Sequence, residues 1–179
     1  MYRAWLIVIL TAIAISAAAC GGGGSTPAPA PAAAKPGAPA FETRWLRGLW
    51  ADDIKRELLA IGITCKGPTL ENRTNVWTCE AGTPLVGYQV RFYGSSPGKI
   101  EYLNAVVTQS GPAKDEPCLR LFGVMTGLHF DGADRTQARK WLEATLAADG
   151  MTEIGPAKYK LARNANRRVF DVKASGSEW

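Results

Sequence analysis

Two runs of residues typical of β-strands, separated by a short turn, constrain the fold of this chain most. The runs span residues 85–93 and 99–109, and both are rich in valine, tyrosine and other residues that strands favour. The turn at residues 94–98 reads Gly-Ser-Ser-Pro-Gly, a composition that breaks regular structure. The sequence therefore predicts a pair of adjacent strands joined by a hairpin turn.

A helix is predicted ahead of this pair, over residues 51–61. Its apolar residues Ile54, Leu58 and Ile61 are spaced so that they share one helical face. Gly62 follows and is suited to end the helix in a left-handed conformation.

The rest of the chain falls into blocks with the spacing of strands or of helices. Short strands are predicted at residues 63–65 and 76–80, and a hairpin over residues 158–174. Two helices are predicted in between, one beginning at Pro117 and one over residues 135–148. The residues of these helices and of the last hairpin that we expect to face the core are Cys118, Leu121, Phe122, Met125, Ala138, Trp141, Leu142, Thr145, Leu146, Tyr159, Leu161, Phe170 and Val172.

The order of helix, strands, two helices and strands predicts the fold class. Runs of strands followed by runs of helices are typical of α+β domains rather than of doubly wound parallel sheets. We expect residues 41–179 to form one two-layer α+β domain, in which a mostly antiparallel sheet is packed on one face by about three helices. A segment of this length is sufficient for a single core.

The N-terminal residues have the organisation of a secretory signal peptide. A positive charge at Arg3 precedes an apolar run over residues 4–15, which is followed by the small residues 16–19. We therefore expect residues 1–19 to be a signal peptide that is removed from the mature protein.

Cys20 directly follows these small residues and precedes four glycines. This stretch resembles the lipobox of bacterial lipoproteins, over residues 1–20, although Ala17 stands where leucine is usual. The resemblance implies an exported protein anchored in a bacterial membrane by fatty-acyl groups such as palmitate on Cys20. Gly21, in place of aspartate, implies the outer membrane if the cell has two. Ordinary cleavage that leaves a soluble secreted protein is one alternative, and a retained membrane-spanning helix, for which the run is short, is another.

Residues 20–40 have the composition of a tether. They consist of Gly, Pro, Ala, Ser and Thr with one charge, Lys35, after the cysteine. Such a segment has too few large apolar residues to form a core, and its Pro-Ala repeats favour extended polyproline II structure. We expect a lipidated linker that holds the domain away from the membrane.

Cysteines carry the most specific chemical signal within the domain. Cys65 and Cys79 lie on the two short predicted strands of an exported protein, with a turn-rich segment between them. We therefore expect a disulfide that closes a loop of about 15 residues. Cys118 lies on the buried face of a predicted helix, where an inert thiol is expected. Pairing of Cys118 with Cys65 or Cys79 is the alternative.

Few residues in the domain could combine for catalysis or metal binding. His129 is the single histidine, and a cysteine nucleophile would have to be Cys118 with this histidine as its base. A surface histidine is the simpler interpretation. The three domain cysteines and His129 lack the close spacing of zinc ligands, so we expect no metal and no cofactor. The aspartate pairs at positions 52/53 and 131/134 are interpreted as helix-start residues rather than acid and base.

The net charge of the domain gives only weak support for a nucleic-acid partner. Residues 41–179 carry a net charge of +3, which together with export disfavours a nucleic-acid partner. Basic residues cluster on the C-terminal hairpin, where they are candidate contacts for anionic lipid head groups or an acidic polysaccharide. A solvated strand face that protects a sheet edge is the alternative. The candidate residues are Lys158, Lys160, Arg163, Arg167, Arg168 and Lys173.

These observations together favour a lipid-anchored, non-enzymatic cell-envelope protein that binds another envelope protein or a cell-wall polymer. A module that binds a small ligand or acts as an inhibitor is the second interpretation, and an enzyme is the third. Helices over an antiparallel sheet are similar in layer order to inhibitory and assembly-factor lipoproteins of bacterial envelopes, a likeness of fold that does not establish function.

Overall fold

Seven strands and three helices form the part of the chain that the structure, a computed structural model, describes: residues 44–111 and 114–178. The elements in chain order are α1 (Ala51–Ala60), β1 (Thr64–Glu71), β2 (Thr74–Gly82), β3 (Val86–Ser96), β4 (Lys99–Gln109), α2 (Asp115–Gly127), α3 (Arg135–Thr145), β5 (Gly150–Ile154), β6 (Ala157–Asn164) and β7 (Arg167–Ala174). The predicted α+β class with an antiparallel sheet is confirmed.

The sheet is built from two meanders. All neighbouring strands pair antiparallel, in the order β1-β2-β3-β4-β7-β6-β5. Strands β1 to β4 form one meander and β5 to β7 the other, and the α2–α3 hairpin connects them along the chain. The meanders join where residues 102–108 of β4 pair with residues 167–173 of β7. We call this pairing the seam.

The core lies between the helices and one face of the sheet. Trp77 of β2 stacks on Phe92 of β3, with ring centroids 5.0 Å apart. Phe122 of α2 stacks on Phe170 of β7 at 5.1 Å, which fixes this helix over the seam. Trp141 is half-buried and packs against Phe170 at 6.2 Å. The other predicted core residues that the structure buries are Cys118, Leu121, Met125, Ala138, Leu142, Leu146, Tyr159, Leu161 and Val172.

Helix α1 agrees with its predicted pattern. Ile54 and Leu58 are fully buried, and Asp52 and Asp53 lie in the first turn, where the helix dipole favours negative charge. Gly62 follows the helix with φ of +80°, a conformation that glycine adopts at little cost.

Strands β1 and β2 are longer than predicted. The prediction of a turn-rich segment between the two cysteines is wrong, because strand structure occupies most of it. Both strands continue to a two-residue turn at Asn72 and Arg73, which have φ of +48° and +68°. Pro68 is tolerated within β1 because this strand lies at the sheet edge, where a missing N–H leaves no neighbour unpaired. Gly67 has φ of +102°, and a Cβ there would lie 2.8 Å from the Val76 carbonyl oxygen.

The sequence patterns do not predict β5, and they place the end of α3 three residues too late. Met151 and Glu153 of β5 are exposed and Ile154 is buried, so the strand has one large inward apolar residue and a weak alternation. Gly155, with φ of +57°, turns the chain into β6.

The predicted signal peptide at residues 1–19, the lipidated Cys20 and the tether at residues 20–40 lie outside the described residues. Within residues 44–111 and 114–178, no helix has both the length and the apolar character needed to cross a membrane.

Candidate binding face on the open side of the sheet

The sheet face opposite the helices, which we call the open face, is the candidate functional site. Side chains alternate between faces along a strand, so the neighbours of core residues lie here. Val76 and Val106 are buried but do not belong to the core cluster, which places them on this face. Pairing of the strands sets the open-face residues in rows. One row is Val76, Tyr93, Tyr102, Lys173 and Lys158, and the next is Thr78, Arg91, Asn104, Asp171 and Lys160.

Two tyrosines stand at the centre of the first row. Tyr93 and Tyr102 are half-buried, and their rings stack with centroids 5.3 Å apart and an interplanar angle of 21°. The Arg91 guanidinium lies 5.3 Å from the centre of the Tyr93 ring, and the Lys173 ammonium lies 5.4 Å from that of Tyr102. These cation–π contacts hold both rings in place.

A hydrogen-bond network fixes the second tyrosine across the seam. The Tyr102 hydroxyl donates to Oδ1 of Asp171, and Nδ2 of Asn104 donates to the same oxygen at 2.7 Å. Burial, and then the hydrogen bond to Asp171, raise the pKa of Tyr102 above its usual range. Tyr102 is therefore a neutral donor at physiological pH.

Other charges on the open face are also paired. Nη2 of Arg91 lies 3.0 and 2.8 Å from the two carboxylate oxygens of Glu71, and Nε2 of Gln89 donates to Glu80 at 3.0 Å. The Arg91–Glu71 ion pair and the Gln89–Glu80 hydrogen bond thus engage two of the carboxylates of this face.

Two depressions open on this face. The first, which we call the tyrosine groove, has a volume of about 390 Å³ and is lined by Glu71, Asn72, Val76, Tyr93, Glu101 and Tyr102 among others. The second has a volume of about 470 Å³ and is lined by Glu80, Gly87, Gln89, Thr108 and Arg167 among others. Both contain polar groups beside a buried valine, Val76 or Val106.

The six basic candidates of the C-terminal hairpin divide between the two faces of the sheet. Lys158 and Lys160 lie on the open face of β6, with Arg167 and Lys173 on β7 beside them. Lys158 Nζ donates to the Ser177 carbonyl oxygen at 3.2 Å, and Lys173 donates to that of Glu178. Both strands lie inside the sheet, since the edges are β1 and β5, so the edge-protecting interpretation is wrong.

Arg163 and Arg168 lie on the helix-covered face and are used in the fold. Arg163 donates to the Ala147 carbonyl oxygen at 2.6 Å, just after α3. Arg168 is buried, donates to the Leu146 carbonyl oxygen and lies 3.1 Å from the Asp115 carboxylate. The structure therefore does not bring the six basic residues together as one surface.

The predicted Cys65–Cys79 disulfide is present and joins directly opposed residues of β1 and β2. Cys118 is a buried free thiol in the first turn of α2, and burial raises the pKa of this thiol to about 11. His129 is exposed and lies beyond the other end of α2, two residues after Gly127. The ten helical residues from Cys118 to Gly127 span about 14 Å, so the structure does not assemble the cysteine–histidine dyad.

The turn at residues 94–98 also matches the pattern Gly-x-Ser-x-Gly. In hydrolases this pattern carries a nucleophile on a sharp turn between a strand and a helix. Here Ser96 ends β3 and the chain returns as β4, with Ser96 paired to Lys99. The motif is a hairpin turn in this fold.

Sequence reasoning missed the residues of the tyrosine groove. Tyr93 and Tyr102 alternate with the core residues Phe92 and Leu103, and this period of two was the available signal for outward-facing aromatic residues. Their stacking depends on the register of β3 against β4, which single-strand patterns do not specify.

Among the described residues, no group of three or more His, Cys, Asp or Glu side chains is placed to hold a metal ion. Comparison of the chain with protein-family models, with curated proteins and with solved structures finds no match. The open face and the N-terminal sequence are therefore the features from which function is inferred.

Proposed function

We propose that this protein is a lipid-anchored, non-enzymatic protein of the bacterial cell envelope that acts as a binding module through the open face of its sheet. The observation that carries the proposal is the stacked Tyr93–Tyr102 pair, held by flanking cations and by Asp171 beside an open groove. Aromatic side chains fixed in advance lose little conformational entropy when a partner binds. The partner is an envelope protein or a cell-wall polymer.

The chemistry of the remaining groups supports binding rather than catalysis. The Cys118 thiol is buried and its raised pKa keeps it protonated, which disfavours a role as nucleophile. The second candidate function is a small-ligand module, since a groove of about 390 Å³ is within the size range of small-molecule sites.

The anchor is supported by residues 1–20, with their apolar run, small residues and Cys20. A linker of about 20 residues that is rich in Pro and Gly would let the open face reach a partner tens of Å from the membrane. Residues 1–19 would be removed during export, and Cys20 would become the lipidated first residue.

Substitution of Cys20 tests the anchor. In cells that process lipoproteins, Cys20→Ala should move the protein from the membrane fraction to the soluble fraction and abolish labelling by a fatty-acid analogue. Cys118→Ala is the matched control, because it removes a cysteine from the domain and should change neither result. A wild-type protein that takes no label and begins at another residue would contradict the anchor.

Site-specific cross-linking tests the binding face. A photoreactive residue at Gln89, exposed on the open face, should capture a partner in the native envelope. The same residue at Gln137, exposed on α3, is the matched control and should capture little. Equal capture from both positions, or capture from α3 alone, would overturn the assignment of the open face.

A further inference from the structure

Two large apolar side chains are exposed near the point where the described chain begins. Trp50 is 57% exposed and directly precedes α1, and Leu70 is 74% exposed near the end of β1. Trp50 occupies the N-cap of α1, a position that Ser, Thr, Asp and Asn favour because their side chains bond to the helix, and it makes no such bond. Stability of the helix therefore gives no reason for a tryptophan at this position.

Contacts at one turn place Trp50 and Leu70 at the same end of the sheet. The backbone N–H of the residue after Trp50 donates to the Pro97 carbonyl oxygen at 2.8 Å, in the turn between β3 and β4. Leu70 pairs with Asn75 of β2, whose side chain donates to the Ser95 carbonyl oxygen at 3.0 Å beside that turn. We call this part of the domain the tether end, and it consists of residues 44–50, 70–75 and 95–99.

The predicted tether joins the domain at this end. It ends at residue 40, and the described chain begins just beyond it, at Arg44. The backbone N–H of Leu46 then donates to the Ile100 carbonyl oxygen at 2.7 Å, beside the β3–β4 turn. Leu85 marks the opposite end of β3, whose 11 residues span about 35 Å. A bilayer that holds Cys20 is therefore attached to the domain through its tether end.

The charges of the tether end have both signs. Arg44, Arg73 and Lys99 are exposed, and the carboxylates of Glu101 and Asp131 nearby offset part of their charge. The two aspartates in the first turn of α1 are each paired with a cation of the same helix. Indole rings and basic side chains together are typical of surfaces that lie in the head-group region of a bilayer. Because the charges largely offset, the apolar side chains would contribute most to such a contact.

We infer that the tether end docks on the surface of the bilayer that holds the lipid anchor, with Trp50 and Leu70 in the head-group region. This inference rests on the proposed function, because the anchor is what brings the domain to the bilayer. Attachment gives the tether end a high effective concentration at the surface, so a small apolar contact is sufficient for docking. The strands then run away from the bilayer, and the open face along them stays accessible to a partner.

The test measures contact between Trp50 and lipid. The full chain is produced in cells that process lipoproteins, and the processed protein is purified and reconstituted into vesicles of phosphatidylethanolamine and phosphatidylglycerol. Bromine on the acyl chains quenches the fluorescence of an indole ring that it contacts, so brominated vesicles should give weaker fluorescence than plain vesicles. Trp50→Phe keeps an aromatic ring beside Gly98 and should remove most of this difference.

Two exposed leucines provide matched variants at the two ends of the sheet. Leu70→Ala should lower the ratio of docked to undocked domains about fivefold, because less apolar surface enters the bilayer. Leu85→Ala is the matched control, since Leu85 is 66% exposed at the opposite end and should not affect the quenching. Both side chains are on the surface, so both variants should melt at the temperature of the parent protein.

Three results would overturn the docking: equal fluorescence in brominated and plain vesicles, equal loss of quenching in Leu70→Ala and Leu85→Ala, or capture of a protein instead of lipid by a photoreactive residue in place of Leu70 in the native envelope. The mass of the purified protein tests the anchor separately. If the protein carries acyl groups and is not quenched, the anchor stands and the docking falls.

A failed anchor leaves the docking testable. If the purified protein begins at Cys20 without acyl groups, the proposed anchor falls. Coupling of the Cys20 thiol to a maleimide lipid then attaches the domain to the same vesicles, because the Cys118 thiol is buried and the other two domain cysteines form the disulfide. The quenching and the two leucine variants then show whether the tether end contacts lipid.

Discussion

Arg168 shows how a single charged residue can be committed to the fold although it lies within a basic run. It is buried on the helix-covered face, where it contacts the start of α2 through Asp115 and the end of α3 through the Leu146 carbonyl oxygen. Its Nε has no hydrogen-bond partner among residues 44–111 and 114–178. Arg167, the next residue, is exposed on the open face.

Arg168→Ala should lower the free energy of unfolding by about 2 kcal/mol, because two helix ends lose their shared donor and a cavity forms. Arg167→Ala is the matched control and should change stability by less than about 0.5 kcal/mol. Urea denaturation of both variants measures the difference. Equal effects would show that Arg168 contributes no more than a surface arginine.

Tyr159 gives the fold a dependence on alkaline pH. Burial, and secondarily the charge of Asp134, raise the pKa of Tyr159 to about 12, from 10.0 in an exposed tyrosine. The pKa of Tyr159 is higher in the folded state than in the unfolded state. The contribution of Tyr159 to the free energy of unfolding is therefore complete below about pH 10 and is lost as the pH rises toward 12.

Between about pH 10 and pH 12, the free energy of unfolding should therefore fall by about 2 kcal/mol less in Tyr159→Phe than in the wild type. Tyr102 adds to the slope of both proteins, since its pKa is also raised by burial. The measurement is urea denaturation at a series of alkaline pH values. Parallel curves for the two proteins would contradict the effect of Tyr159.

At the scale of elements, helix α3 has a defined start. Asp134 precedes the helix, and its Oδ1 accepts the backbone N–H of Gln137 at 2.9 Å. Asp134→Ala should cost about 1 kcal/mol of stability, the usual effect of losing an N-cap. Gln137→Ala should be nearly neutral, because the bond uses its backbone. Thermal unfolding distinguishes the two, and a larger effect of Gln137→Ala would reverse the assignment.

The helices could be predicted from the sequence better than the sheet edges. Apolar residues recur at helical spacing in pairs such as Ile54 and Leu58, or Leu121 and Met125. This pattern can be recognised without knowledge of distant residues. Strand β1 contains Gly67-Pro68, which favours a turn unless the strand is known to be at an edge. Strand β5 has a weak alternation of its own and is identified by its pairing with β6.

The candidate site was the least predictable part because it is assembled across the seam. Tyr102 and Asp171 are 69 residues apart in sequence, and their hydrogen bond requires the register of β4 against β7. The basic run was visible in the sequence, but its division between two faces depends on which strands lie inside the sheet.

At the scale of the whole molecule, the seam is where the two meanders depend on each other. Tyr102 and Asn104 of β4 hold Asp171 of β7 on the open face, and α2 packs over both strands on the other. Asp171→Ala should speed hydrogen exchange of the backbone amides of β7 by about tenfold, a change of about 1.4 kcal/mol in the opening free energy.

The exchange experiment has an internal reference and a control variant. Amides that pair β1 with β2 should exchange at the same rate in Asp171→Ala and the wild type, because the disulfide and the local turn hold that hairpin. Glu80→Ala removes an open-face carboxylate outside the seam and should leave β7 unchanged. Uniformly faster exchange throughout the sheet would mean that Asp171 stabilises the whole domain rather than the seam.

An opened seam would expose two strand edges that are complementary in length and register. This is the geometry of domain swapping, in which one copy accepts the β5–β7 meander of another against its own β4. In the lipid-anchored form that we propose, copies on one membrane surface would meet at high effective concentration, which would favour such exchange. The Asp171 hydrogen bonds would then disfavour domain swapping between neighbouring copies, in addition to stabilising the seam within each molecule.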